Sequence, residues 1–193
     1  MKFQSEEGSF EYFGKLFTEK ESGRFFEQLL HEINWQHDEL LIFGKRRVTN
    51  RKVAWYGDAS IEYSYSGTTR IAHQWTSLLI ELRQQVEQNT ALTFNACLLN
   101  LYHNGDEGMG WHSDNEKSLE EPIHIASLSF GAERRFDMKH QKTGDKKSVI
   151  LENGSLLLMK HPMQHFWKHA LPKTKKVIEP RINLTFRLMK INN

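Results

Sequence analysis

His112 and Asp114 stand two residues apart, and in an extended segment residues at that spacing point to the same side. Placed so, an imidazole and a carboxylate offer two ligands to one divalent metal. A distant histidine would complete a 2-His-1-carboxylate facial triad, the ligand set of non-haem Fe(II), which leaves positions open for a co-substrate and oxygen. The chain has ten histidines. His103, His124, His140, His161 and His165 all share the half that holds His112. A lone histidine is more often a core or surface residue than a ligand, and His-x-Asp by itself is common. His169 is the choice for third ligand because Arg181 follows it twelve residues on and Arg187 six after that. A dicarboxylate co-substrate needs such arginines, since the guanidinium fork fixes a carboxylate with a geometry that lysine lacks.

Two strand-like stripes carry the same suggestion. Arg181, Asn183, Thr185 and Arg187 alternate with Ile182, Leu184, Phe186 and Leu188, so one face is apolar and must pack on a core. The opposite face holds two guanidinium groups, an amide and a hydroxyl. Asn100 and Tyr102 alternate with Leu99 and Leu101 in the same way. A half-exposed surface strand would also be polar on one side, and the first stripe alone leaves both readings open.

The elements that must position these residues change character along the chain. Thr18 and Glu21 have capping-box spacing, and Phe25, Phe26, Leu29, Leu30 and Ile33 then recur at helical intervals. Trp75, Leu78, Leu79, Leu82 and Val86 mark a second amphipathic helix. After about residue 92 the period becomes alternating, and strands fill the remainder. Asn153-Gly154, between residues 149–151 and 155–159, predicts a type I′ hairpin. Residues 125–130 and 135–138 form a second expected pair around Gly131. Helices followed by a β-rich half give the class α+β.

At 193 residues without a linker or repeat, the chain is expected to form a single domain, 1–193. Its one cysteine, Cys97, lies in an apolar strand and suits a small buried residue in a reducing, cytoplasmic compartment. No stretch has the length or apolarity of a signal peptide or a membrane span. A formal charge of +2 is too small to announce nucleic-acid binding. Local clusters around Lys45, Arg46, Arg47, Arg51 and Lys52, around Lys139 to Lys147, and at Lys173 to Lys176 suit either a phosphate backbone or a solvated surface.

The strings NLYHNGDEGMGWHSDNE, IASLSFGAERRFDM and PRINLTFRLMK together resemble the AlkB-type Fe(II)/2-oxoglutarate dioxygenases, especially the animal-type DNA-repair members. LIFGKRRVTNRKVAWYGD and YSYSG extend the likeness to roughly residues 40 to 189. The resemblance implies a double-stranded β-helix, or jelly roll, in about 92–190. About 1–90 would supply N-terminal helices and a nucleotide-recognition lid. It also implies His112, Asp114 and His169 as iron ligands, and Asn100, Tyr102, Arg181, Asn183 and Arg187 around 2-oxoglutarate. Arg181 would pair with the distal carboxylate. Arg187, nearer the iron, would meet the metal-binding carboxylate or orient Asp114.

By the same resemblance the activity is oxidative demethylation of 1-methyladenine and 3-methylcytosine in DNA. It consumes O2 and 2-oxoglutarate and releases formaldehyde, succinate and CO2. A base must leave the stack to reach a buried iron. Phe43 would be the wedge that fills the gap, with Arg51 among the phosphate contacts, Tyr56 lining the base pocket and Glu116 accepting from an exocyclic amine. Asn115 stands where duplex-active members tend to carry an acidic residue. Methylated RNA, protein or lipid are the alternative substrates, and a non-catalytic nucleic-acid binder is a third reading. A monomer without membrane attachment is expected.

Overall fold

The computed structural model describes residues 1–42, 45–58, 62–65 and 68–191. Phe43, the expected wedge, lies outside the described residues, as do the side chains of Lys45, Arg46 and Arg47. The chain begins with a hairpin, β1 (Lys2–Ser5) and β2 (Gly8–Lys15), then α1 (Glu19–Glu32). The strands β3 (Gln36–Ile42), β4 (Lys45–Gly57), β5 (Glu62–Tyr65) and β6 (Thr68–Ile71) precede α2 (Ser77–Thr90). Next come β7 (Ala96–Tyr102), β8 (Met109–His112), β9 (Ile125–Gly131), β10 (Arg134–His140), β11 (Lys146–Leu151) and β12 (Ser155–Lys160). A single turn of helix, α3 (Met163–Phe166), leads into β13 (Trp167–Leu171), and β14 (Arg181–Arg187) closes the series.

Among the described residues, eight strands form one sheet in the order β1-β2-β12-β9-β14-β7-β4-β3, and four form another in the order β11-β10-β13-β8. Every pairing within them is antiparallel, and the two sheets stack as a jelly roll. The large sheet takes β1 to β4 from the first 57 residues, so the N-terminal part of the chain extends the sheet of the jelly roll. No helix among the described residues is long and apolar enough to cross a membrane.

Both expected helices form. Thr18 caps α1 with the reciprocal Glu21 contacts of a capping box, and Leu29, Leu79, Leu82 and Val86 are fully buried. They pack on Cys97, Leu99, Leu101, Leu128, Ile182, Leu184 and Phe186, the outward face of the large sheet. Its inward face carries Trp55, Tyr102, Ile125, Leu157 and Met159, which meet Phe136, Met138, Trp167 and Leu171 of or beside the small sheet. Each buried Leu, Ile or Phe is worth about 1.5–3 kcal/mol. A one-residue slip of β14 would trade Ile182, Leu184 and Phe186 for arginines against the helices, so the apolar face locks the register. That lock turns Arg181, Asn183, Thr185 and Arg187 into the space between the sheets.

The two expected hairpins do not exist. β11 pairs with β10, while β12 pairs with β2 and β9, so the chain crosses from one sheet to the other at Asn153-Gly154. Gly154 has φ +75°, but Asn153 is not in the left-handed region, and a type I′ turn needs both. Asn153 Oδ1 instead accepts from the Gly131 N–H at 2.9 Å. At Gly131, with φ +82°, the chain likewise leaves the large sheet for the small one.

Candidate active site

His112 ends β8 and is the direct cross-strand partner of His169 on β13, so strand pairing alone brings the two imidazoles together. Their ring centroids are 4.2 Å apart and steeply inclined, at 67°. Asp114 lies two residues past His112, in the segment that leaves the strand. His112 Nε2 is 4.0 Å from Asp114 Oδ1, and His169 Nε2 is 3.7 Å from Asp114 Oδ2. One ligand atom from each residue falls within 4.8 Å of the others. A carbonyl can only accept, so the 2.8 Å contact between His112 Nδ1 and the Gly110 carbonyl puts the proton on Nδ1. The Nε2 lone pair is then left for a metal. Phe136 stacks on the His169 ring, centroids 5.3 Å apart, and restricts its rotation.

Electrostatics hold the triad in ligand form. Burial alone would raise the Asp114 carboxyl, but Arg187, with His169 and His112 behind it, outweighs that and holds it below the usual carboxylate range. Burial, then the neighbouring His112, push His169 down to about 3, with Asp114 only partly opposing. Asp114 is therefore an anion and His169 neutral. Arg187 Nη2 donates to Asp114 Oδ1 at 2.9 Å, and its Nη1 is 3.5 Å from Glu116 Oε1. The Asp114 N–H donates to Oε1 of the buried Gln164 at 2.9 Å, fixing the backbone behind the ligand.

The other end of the polar face holds a cation with no counter-charge among the described residues. Arg181 is fully buried; its Nη2 donates to Ser129 Oγ at 2.9 Å, while its Nε has no hydrogen-bond partner. Burial, reinforced by Arg134 and opposed by Tyr102, lowers its pKa to about 10. Its guanidinium sits 5.6 Å from the Tyr102 ring centroid. The buried Asn100 Oδ1 also lacks a hydrogen-bond partner among the described residues. Asn183 lies between Asn100 and Ser129 in register and donates to Ser127 Oγ at 2.9 Å. A buried guanidinium with an unmet N–H donor fits a carboxylate, which would satisfy both donor and charge. At the opposite end, two imidazole nitrogens and an anionic carboxylate fit a divalent iron.

The residues assigned to the substrate are less well gathered. Tyr56 faces away: it pairs with Cys97, belongs to the helix-covered face, and its hydroxyl accepts from the Asn34 N–H at 3.2 Å. Trp55, the preceding residue, faces inward in its place, as strand alternation requires. Tyr56 is thus a core residue rather than a pocket wall. Arg51 is 5% exposed, with Nη1 3.2 Å from Met109 Sδ, so it is turned inward instead of toward a phosphate backbone. Asn115 is exposed beside the triad, and Glu116, beside Arg187, is not poised alone. Asp58 of the same WYGD string accepts from Trp75 Nε1 at 2.7 Å and ties the strand to the start of α2.

Sequence reasoning missed four residues. Ser127 and Ser129 repeat the alternating stripe within IASLSFG, a legible signal, and they ground Asn183 and Arg181. Trp111, 46% exposed, is the immediate neighbour of His112, and no spacing singles it out. Gln164 carries no signal at all, since only folding brings it to Asp114.

A family model of the 2OG-Fe(II) oxygenase superfamily matches residues 9–187. The chain is 39% identical over 183 residues to the DNA oxidative demethylase ALKBH2 of Homo sapiens, an alignment covering 89% of this chain and 70% of that one. It is 39% identical over 178 residues to the alpha-ketoglutarate-dependent dioxygenase alkB homolog 3 of Bos taurus, covering 87% and 62%. The solved structure of OsALKBH1 superposes with a TM-score of 0.64 at 14% identity, covering 96% of this chain and 99% of that one, a likeness of fold.

Proposed function

We propose, from the premise that this chain belongs to the 2OG-Fe(II) oxygenase superfamily and to its AlkB type, that it removes methyl groups oxidatively from 1-methyladenine and 3-methylcytosine in DNA. The observation that carries the co-substrate is the buried Arg181, whose Nε has no partner, on the same strand face as the arginine that holds Asp114. What carries the substrate is the identity to two relatives, one of them called a DNA oxidative demethylase, over most of this chain.

In this reading His112, Asp114 and His169 hold Fe(II), and Arg181 binds the distal carboxylate of 2-oxoglutarate, with Asn100, Tyr102 and Asn183 lining the pocket. When bound, iron, 2-oxoglutarate and O2 supply the oxidising power that hydroxylates an N-methyl group, with succinate and CO2 as co-products; the hydroxymethyl group then leaves as formaldehyde. The protein's own share is positioning. Gly110 sets the tautomer of His112, Phe136 restricts the His169 ring, and Arg187 with Gln164 fixes Asp114 from its carboxylate and its backbone. The apolar walls between the sheets, Ile125, Leu157, Met159 and Met138, keep water from the buried groups.

A flipped or unpaired nucleotide reaches this site past Asn115 and Glu116, with Phe43 as the wedge in duplex DNA. The protein works in a reducing compartment, a reading supported by its single, wholly buried cysteine, and as a monomer. Incubation with Fe(II), 2-oxoglutarate and 1-methyladenine oligonucleotides should release formaldehyde and unmodified adenine in equal amounts. Succinate formation uncoupled from any repair, on single and double strands alike, would assign the oxygenase to another substrate.

A further inference from the structure

Glu121, His161 and His165 form a second set of converging ligand side chains, separate from the triad. Glu121 lies in the segment between β8 and β9; His161 precedes the turn of α3 and His165, four residues on, lies within it. Glu121 Oε2 is 3.3 Å from His161 Nδ1, and its Oε1 is 3.3 Å from His165 Nε2. The two rings stand 5.4 Å apart at 83°, and one ligand atom from each of the three residues lies within 4.8 Å of the others. Two ligands each about 2.05 Å from a tetrahedral Zn2+ are separated by about 3.3 Å, the spacing seen here between carboxylate and imidazole. Ion pairing alone gives little reason for the convergence, because exposed pairs contribute almost nothing. All three residues are exposed, so an ion reaches them without the fold opening.

We propose that Glu121, His161 and His165 bind a borderline dication such as Zn2+, with three protein ligands and a fourth position open to water or another donor. The site joins two segments that the triad already depends on. Glu121 belongs to the segment that carries Asp114, and His165 follows Gln164, whose Oε1 accepts from the Asp114 N–H. The backbone N–H of His161 also donates to His124 Nδ1 at 3.2 Å, so a third imidazole anchors this corner from behind. A metal at this point cross-links the 113–124 segment to α3 and restrains the backbone of Asp114 from a distance. The assignment stands on these side chains and does not depend on what the triad oxidises.

The test compares metal-free protein with a His161→Gln/His165→Gln variant and, independently, Glu121→Gln, all exposed positions whose replacement spares the core. After equilibrium dialysis against ZnCl2, the wild type should retain one more zinc per chain than either variant. Equal zinc content in wild type and variants overturns the site, whatever the triad binds. Trypsin cleavage after the exposed Lys117 should slow with zinc in the wild type and not in the variants. Zinc retained at the cluster with unchanged cleavage would refute the cross-link.

Discussion

Arg187 and Asp114 form a buried ion pair, Nη2 to Oδ1 at 2.9 Å, in which the arginine of the last strand holds the carboxylate that completes the metal triad. The pairing connects the C-terminal strand to the segment after β8, two parts of the chain 73 residues apart. Its first role is to keep Asp114 ionised and aimed, since burial by itself raises the carboxyl and Arg187 leads the charges that lower it. Replacing Arg187 with Gln should lower iron affinity by about 10–100-fold, as loss of a partner to a metal ligand does. Iron titration by the absorption band formed with 2-oxoglutarate under anaerobic conditions reads this directly. An unchanged affinity would mean Asp114 is held by its backbone alone.

Arg181 gives a prediction in which stability and binding part company. Arg181→Met removes a buried cation that has no counter-charge among the described residues, and a well-packed apolar replacement of such a group is often neutral or stabilising. Melting of the ligand-free variant should occur at or above the wild-type temperature. Its KM for 2-oxoglutarate should rise by at least about 30-fold, the cost of losing one partner of a buried charge pair. Added 2-oxoglutarate should raise the Tm of the wild type only.

His169 makes the metal-free protein sensitive to acid. Its pKa is about 3 in the fold against an ordinary value of 6.5, so between these two values the unfolded chain binds the proton and the folded one does not. Stability must then fall as pH drops below 6.5, by at most about 1.4 kcal/mol per unit from this group. Asp114, lowered in the fold, adds a loss in the same direction at still lower pH. Urea unfolding of metal-free wild type and His169→Gln at pH 7.5 and 5.5 should show the smaller loss in the variant. Equal losses would assign the acid sensitivity elsewhere.

Tyr56 belongs to the helix-covered core, so Tyr56→Phe should cost about 1 kcal/mol, the worth of its hydrogen bond from the Asn34 N–H, and leave kcat/KM on methylated oligonucleotides unchanged. A fall in kcat/KM at unchanged stability would restore it to the base pocket.

Phe43→Ala should reduce repair of duplex substrate more than repair of single strands, because only the duplex requires the gap to be filled. Equal reductions on the two substrates would remove the wedge from the mechanism.

The alternation in RINLTFR placed Arg181, Asn183 and Arg187 on one face, and the fold keeps that face whole because the Ile182, Leu184 and Phe186 face must be buried. The same logic, applied to IASLSFG, would have found Ser127 and Ser129. It could not tell which side of the large sheet received Tyr56, since that depends on the register of β4 against β7. The Asn153-Gly154 turn was legible as a turn but not as a crossing, because β11 pairs back onto β10 while β12 chooses partners farther away in the chain, β2 and β9.

From residue types and spacing alone, then, come the metal ligands, the dicarboxylate stripe and the two packing helices, each a local pattern enforced by burial of its apolar side. Tertiary structure alone places Gln164 behind Asp114 and Glu121 between His161 and His165. Those contacts join segments that share no periodicity, and chain distance carries no record of which strands the packing of two sheets makes neighbours.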